Sequence, residues 1–336
     1  MQTTQLIEQI SHTHKASAQE LSQILTDVSA KEALFCAANR VCLEQKGNQV
    51  LIRALLEFSN ICRRQCRYCG LNCFNSNCQR YRMEPDEILE TVKEAYDAGY
   101  QTIVLQSGED PYYTQEMVVS LVREIRRTCP GMAITLSIGE RPKEEYAAFR
   151  QAGADRYLIK QETADPQIYA ALHPDSSLKE RVTCLKNLKE LGYETGSGFM
   201  IGLPGQTAQT IAADLLLLQE IPCDMAGIGP FIPHPDTPLK DHPAGSVTVT
   251  QQAVALARLL LPKANLPATT ALGVVSQSGK QNIFSCGANV IMKKVTPWSH
   301  RKQYEIYPAN LGEIIDVKTS RQQLEQELRD LGKIPV

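Results

Sequence analysis

Eight residues carry the densest chemistry in the chain: Cys62-Arg63-Arg64-Gln65-Cys66-Arg67-Tyr68-Cys69. Their cysteines are spaced C-x3-C-x2-C. Thiolates hold iron–sulfur clusters, normally four to a cubane. Three close ligands with no clear fourth leave one iron open. An open iron beside an aromatic, Tyr68, suits a cluster that binds a cofactor as well as passing electrons. Structural zinc sites usually pair C-x2-C units to reach four ligands, and only one such pair is present. The other readings, a zinc knuckle lacking a ligand or unrelated buried thiols, explain the spacing less well. Cys62, Cys66 and Cys69 are therefore the candidate metal ligands.

A loop of this kind needs a frame. Residues 1–45 carry apolar positions at helical spacing, among them Leu21, Ile24, Leu25 and Val28. Strand patterns follow at 50–59, 102–106, 133–138, 156–160, 194–201, 225–228, 268–272 and 288–292. Helix patterns lie between them, at 85–98, 114–128, 143–152, 166–172, 178–191, 207–220, 250–261 and 276–284. Each helix is long enough to cross between parallel strands. Eight repeats predict an α/β fold, a (β/α)8 TIM-type barrel. A doubly wound sheet is the competitor but usually has fewer strands. The expected organisation is an N-terminal helical cap (1–48), a barrel (49–303) and a C-terminal extension packed on it (304–336), ending in a charged helix at 320–331.

Composition narrows the partners. The net charge of −2 gives no electrostatic case for nucleic acid or a membrane surface. No apolar run could span a bilayer, and the polar N-terminus has no signal-peptide core, so a cytoplasmic protein is expected. Eleven cysteines in that compartment suggest ligands, reactive thiols or core residues rather than disulfides. An exposed iron would make the protein oxygen-sensitive.

Barrel sites form at the C-terminal ends of strands, where the cysteine loop falls. Gln106-Ser107-Gly108-Glu109 follows the second strand, and a glycine there lets the backbone approach a ligand closely. Thr135 and Ser137 share one face of the third strand. Glu162 follows the fourth, where a carboxylate can accept both hydroxyls of a ribose. Arg181 opens a later helix, and a guanidinium suits a carboxylate. The fifth strand ends Gly198-Phe199-Met200-Ile201-Gly202, with Gln206 beyond it. His234 lies in a proline-rich loop and reads mainly as structural. Thr269 and Thr270 are neighbours at the seventh strand, so one must point inward.

The C-x3-C-x2-C loop with its aromatic resembles the signature of radical S-adenosylmethionine (SAM) enzymes. Residues 57–308 are similar to the HydE-type [FeFe]-hydrogenase maturases, most specifically at 58–70, Arg80-Tyr81-Arg82-Met83, 105–111, 229–239 and 268–273. Biotin synthase and methylornithine synthase are the wider relatives. The resemblance implies a complete barrel, a closed central cavity and one SAM-binding [4Fe-4S] cluster on Cys62, Cys66 and Cys69. It implies SAM contacts from Tyr68, Gln106, Gly108, Glu109, Thr135, Ser137, Glu162, Arg181, Met200 and Ile201. It places substrate at Arg53, Gln106, Met225, Thr269, Thr270, Met292, Tyr304 and Tyr307.

No acid–base residue is needed, because cluster and SAM carry the chemistry. The implied reaction is reductive cleavage of SAM to a 5′-deoxyadenosyl radical acting on a small sulfur- and iron-containing substrate. The implied partners are the maturases HydG and HydF and a reductant such as a ferredoxin or flavodoxin. The alternatives are an amino-acid mutase of the methylornithine synthase type, a HydE-like paralogue with another substrate, and a cluster carrier without SAM cleavage. Three departures stand out. No cysteine follows Cys286, so a second, C-terminal cluster is not expected; Cys73 and Cys78 are extra; and Lys160 stands where the family carries Arg.

Overall fold

The computed structural model describes residues 2–309 and 314–336. Eight parallel strands make the barrel wall: β1 (Gln49–Ser59), β2 (Thr102–Ser107), β3 (Ala133–Ser137), β4 (Arg156–Leu158), β5 (Glu194–Ile201), β6 (Met225–Pro230), β7 (Pro267–Ala268) and β8 (Val290–Lys294). They pair in the order β6-β5-β4-β3-β2-β1-β8-β7. The main crossovers are α4 (Pro85–Asp97), α5 (Gln115–Thr128), α6 (Lys143–Ala152), α7 (Pro166–Leu172), α8 (Leu178–Glu190), α9 (Ala208–Glu220) and α10 (Val247–Leu260). In α5, Val118, Leu121, Val122 and Ile125 are buried, the i, i+3, i+4, i+7 stripe that seats a helix on a sheet. Gly153 ends α6 at φ 119°, in the left-handed region that favours glycine.

The barrel is nearly closed. Between β6 and β7 there is no ladder, only the bridge from Met225 to Asn265, where the Ala226 N–H donates to the Asn265 carbonyl at 3.1 Å. The expected seventh strand at 268–272 is corrected to two residues, followed by helix α11 (Thr270–Val275). Pro267 opens the strand, where a missing N–H is tolerated, and α11 begins at Thr270, so pairing with β8 is confined to Pro267–Val290 and Ala268–Ile291. The helix expected at 276–284 is shorter as well: α12 spans Gln277–Asn282 and gives way to a 3-10 turn, Ile283–Cys286.

Helices α1 (Thr3–Thr13), α2 (Ala18–Thr26) and α3 (Lys31–Lys46) pack beside the barrel on α9 and α10. His14 there bonds the Leu259 carbonyl through Nδ1 at 2.8 Å. At the other end of the chain, α13 (Trp298–Arg301) follows β8, then α14 (Val317–Asp330) and β9 (Ile334–Pro335). Strand β9 pairs with the first residues of β1, Gln49 and Val50. The segment after β8 therefore begins at the barrel mouth, and its last strand lies at the barrel base. Among the described residues no helix is long and apolar enough to cross a membrane.

Candidate active site

The cysteine loop has no regular secondary structure, yet it is pinned on all sides. The Arg80 guanidinium donates to four carbonyls, those of Asn60 (2.8 Å), Leu71 (2.9 Å), Asn72 (2.7 Å) and Asn75 (3.2 Å). Asn60, wholly buried, donates to the Gln79 and Gln303 carbonyls at 2.7 Å each. The β2 end presses directly on the loop. A Cβ on Gly108 would lie 2.2 Å from the Ile61 carbonyl oxygen and 2.8 Å from the Cys62 Cβ. The close approach anticipated at this glycine is thus to the cysteine loop itself.

The three thiols are free of disulfides. Burial pushes Cys69 up to about 12 and raises Cys62 and Cys66 as well, each thiol's neighbours adding to the effect in Cys66 and Cys69. Three thiolates buried in one loop need a cation to compensate them, and a bound metal deprotonates its thiols. Among the described residues no three His, Cys, Asp or Glu side chains gather tightly enough for a single ion. Ligands of a cubane sit on separate irons, so three spread thiols fit a cluster. The Glu109 N–H lies 3.3 Å from the Cys62 sulfur, a contact of the kind that tunes a cluster's potential.

Around the loop runs a ring of ion pairs. Glu109 accepts from Arg63 Nε at 2.9 Å, from Arg64, and from the Glu140 N–H at 2.6 Å. Arg64 also meets Glu140 at 2.5 Å. Arg181 Nε meets the same Glu140 at 2.6 Å and donates through Nη1 to the Lys160 carbonyl. This ring ties the loop to the ends of β2, β3 and β4 and to α8. Tyr68 lies inside it, its hydroxyl 3.1 Å from His173 Nε2. Burial drives His173 down to about 4, so its imidazole is neutral at pH 7.

Below the loop lies a cavity of about 350 Å³. Alternate residues of several strands face it: Leu55 and Glu57 of β1, Met292 and Lys294 of β8, Met225, Gly227 and Gly229 of β6. Of the expected site residues the cavity brings together Tyr68, Gln106, Glu162, Met200, Met225, Thr269, Thr270, Met292, Tyr304 and Tyr307. Gln106 donates to the Tyr304 hydroxyl at 3.1 Å.

Other expected residues lie off the cavity wall. Gly108 and Glu109 belong to the loop packing, and Arg181 to the ion-pair ring. Thr135 is wholly buried with an unpartnered hydroxyl, Ser137 is half-buried at the β3 end, and Ile201 is core. Arg53 is buried, with Nη1 3.0 Å from Met225 Sδ, and desolvation lowers it to about 10. His234 accepts the Asp236 N–H at 3.1 Å and packs against Gly70, a structural arrangement. Cys73 is exposed, while half-buried Cys78 accepts from Asn60 at 3.6 Å.

Glu57 and Lys294 are among the cavity residues that escaped sequence reasoning. Glu57 is wholly buried and pairs with Lys294 Nζ at 2.8 Å, and Thr296 donates to its other oxygen at 3.3 Å. Burial raises the Glu57 carboxyl against the pull of Lys294. The signal was available: a glutamate two residues after Leu55, on the strand face that also carries Arg53.

Glu162 has φ 63°, a left-handed backbone uncommon outside glycine and found preferentially where surrounding structure enforces it. Its N–H donates to the Gly198 carbonyl at 3.0 Å, and its own carbonyl accepts the Met200 N–H at 3.1 Å. Lys160 Nζ reaches its carboxylate at 2.9 Å.

Comparison with known proteins agrees with this geometry. Residues 56–218 match the model of the radical SAM superfamily. The chain is 50% identical over 287 residues to the [FeFe] hydrogenase maturase subunit HydE of Thermotoga maritima, spanning 85% of this chain and 82% of that one. It is 31% identical over 288 residues to 3-methylornithine synthase of Methanosarcina acetivorans, spanning 84% and 81%. The crystal structure of methylornithine synthase superposes with a TM-score of 0.87 at 27% identity, covering 98% of this chain and 97% of that one. Barrel, three-thiol loop and family match together define a radical SAM enzyme, a class that uses a [4Fe-4S] cluster and SAM. Within that superfamily the chain belongs to the family of the HydE-type maturases.

Proposed function

We propose that this enzyme cleaves SAM reductively and acts on a small sulfur- and iron-containing substrate during assembly of the di-iron subcluster of [FeFe]-hydrogenase. The observation that carries the reading is the placement of the cysteine loop, Tyr68 and Glu162 at the mouth of a methionine-lined cavity. Cys62, Cys66 and Cys69 hold the cluster, which when reduced supplies the electron that converts SAM to methionine and a 5′-deoxyadenosyl radical. Glu162 accepts from the ribose hydroxyls, and the Met200 backbone edge receives the adenine. Arg181 swings from Glu140 or acts through Lys160 to meet the carboxylate end of SAM. Met225, Met292, Thr269, Thr270, Tyr304 and Tyr307 line the substrate space and exclude water, which would quench a radical. Residues 1–48 form a helical buttress, 49–303 the catalytic barrel, and 304–336 an extension whose tyrosines complete the cavity.

In this reading HydG supplies the substrate, HydF receives the product, and a ferredoxin or flavodoxin donates the electron. The test is a hydrogenase maturation mixture holding HydG and HydF but no HydE. Addition of this protein restores hydrogen evolution; no restoration would sink the proposal. One observation favours a second reading. The Glu57–Lys294 pair puts a carboxylate and a cation on the cavity wall, as a zwitterionic amino acid would require. Conversion of L-lysine to methylornithine by the reduced enzyme would select that reading instead.

A further inference from the structure

Behind the strained Glu162 lies a layer of polar side chains that the proposed chemistry does not use. Gln161, Thr163, Ser197 and Asp214 are all wholly buried. The Gln161 N–H donates to Ser197 Oγ at 3.1 Å, and Gln161 Nε2 donates to the Asp214 carbonyl at 2.9 Å. The Asp214 carboxylate, on α9, accepts the Ala164 N–H at Oδ1 and faces Gln206 Nε2 at 3.5 Å through Oδ2. Gln206 Nε2 donates as well to the Met200 carbonyl at 2.8 Å, and its Oε1 accepts the Gly202 N–H at 2.6 Å. The loop that carries Glu162 and the end of β5 that carries Met200 thus meet on one buried carboxyl group. Buried polar networks of this sort are costly when broken and rigid when complete.

Asp214 sits among donors, the Ala164 N–H and the Gln206 amide, which oppose the rise that burial imposes on its carboxyl. Gln206 must present its oxygen to Gly202 and its nitrogen to Met200 and Asp214. A glutamate at 206 would set two carboxylates face to face. An asparagine at 214 would turn an N–H2 toward one of those donors. Made together, the two substitutions would set an amide against a carboxyl group once more at the 206–214 contact, while the Met200 carbonyl would still lack its donor.

We infer that Asp214, acting through Gln206, is a positioning residue that holds the Glu162 turn and the Met200–Gly202 turn in the geometry SAM binds. This rests on the reading of Glu162 as a cofactor contact, so Glu162→Gln is measured alongside. The experiment is steady-state cleavage of SAM to 5′-deoxyadenosine by the full chain with its reconstituted, reduced cluster. Asp214→Asn raises the KM for SAM about tenfold, the scale of one buried hydrogen bond lost, with little change in kcat. Gln206→Glu does the same and serves as the probe if Asp214→Asn fails to fold. The double variant Asp214→Asn/Gln206→Glu recovers the part of the Gln206→Glu loss that arises at the 206–214 contact, but not the part from the Met200 carbonyl, to which a glutamate cannot donate. A merely structural residue would lower Tm and leave KM unmoved. If Glu162→Gln raises KM while neither single variant does, or if the double variant is no better than the worse single one, the inference is overturned and the Glu162 reading survives. If Glu162→Gln leaves KM unchanged, the Glu162 reading itself fails.

Discussion

The cysteine loop and the cavity beneath it are built in opposite ways. The loop takes its three thiols from eight consecutive residues, and its support is polar: Arg80 on four carbonyls, and Arg63, Arg64 and Arg181 with Glu109 and Glu140. The cavity draws single residues from strands far apart in sequence, and much of its wall is thioether and aromatic. A buried ion pair on that wall joins Glu57 of β1 to Lys294 of β8. The difference teaches where each property resides. Metal chemistry sits in a short motif that hydrogen bonds keep rigid. The cavity sits in the alternation of the barrel strands and depends on barrel closure.

The strongest break of this comparison is Cys66→Ala. It should abolish the cluster, read as lost iron and lost visible absorbance, while thermal unfolding shows a barrel that still folds. Loss of the fold along with the iron would mean that loop and barrel are not separable. Gly108→Ala comes next. Its Cβ would meet the Ile61 carbonyl at 2.2 Å, so the loop or the β2 end must move. A loss of about 1–3 kcal/mol in unfolding free energy is expected, together with poorer iron incorporation. An unaffected variant would show that the β2 end does not set the loop.

A smaller effect follows from His173, which is buried, neutral and held at about 4. Its folded value lies below the ordinary 6.5, so the folded state binds fewer protons than the unfolded chain as pH falls. The associated stability is fully present above pH 6.5 and is lost as pH drops toward 4. Between pH 6.5 and 5 it amounts to about 2 kcal/mol. His173→Gln should remove that slope from denaturant unfolding curves, and an unchanged slope would assign it to other groups. The smallest change in stability is expected at Thr269, whose buried hydroxyl has no partner and which lines the cavity. Thr269→Val should keep the cluster, SAM cleavage and, within about 1 kcal/mol, the stability. Turnover in the maturation mixture should nevertheless fall. Normal turnover would remove Thr269 from the substrate wall.

The same contrast explains what could be read from the chain alone. The three-thiol spacing is local, and so are the strand and helix patterns that mark eight β/α repeats. Closure is not local. The β7 strand stops at Ala268 because the chain turns into α11 at Thr270, and β6 is bridged on that side at Asn265, just before β7. Glu57 and Lys294 each look ordinary in sequence and gain meaning only across the β1–β8 seam. Glu109, expected to contact a cofactor, pairs with the two arginines that follow Cys62, a partnership that no motif records. Arg181 is likewise drawn to Glu140, a residue with no motif of its own.

The most direct test of the central claim is anaerobic incubation of the reconstituted protein with SAM and a strong reductant, with 5′-deoxyadenosine and methionine quantified. The account predicts that both form in equal amounts, and that Cys66→Ala forms neither. A protein that carries its cluster but leaves SAM intact, or a Cys66→Ala variant that still cleaves it, would contradict the account.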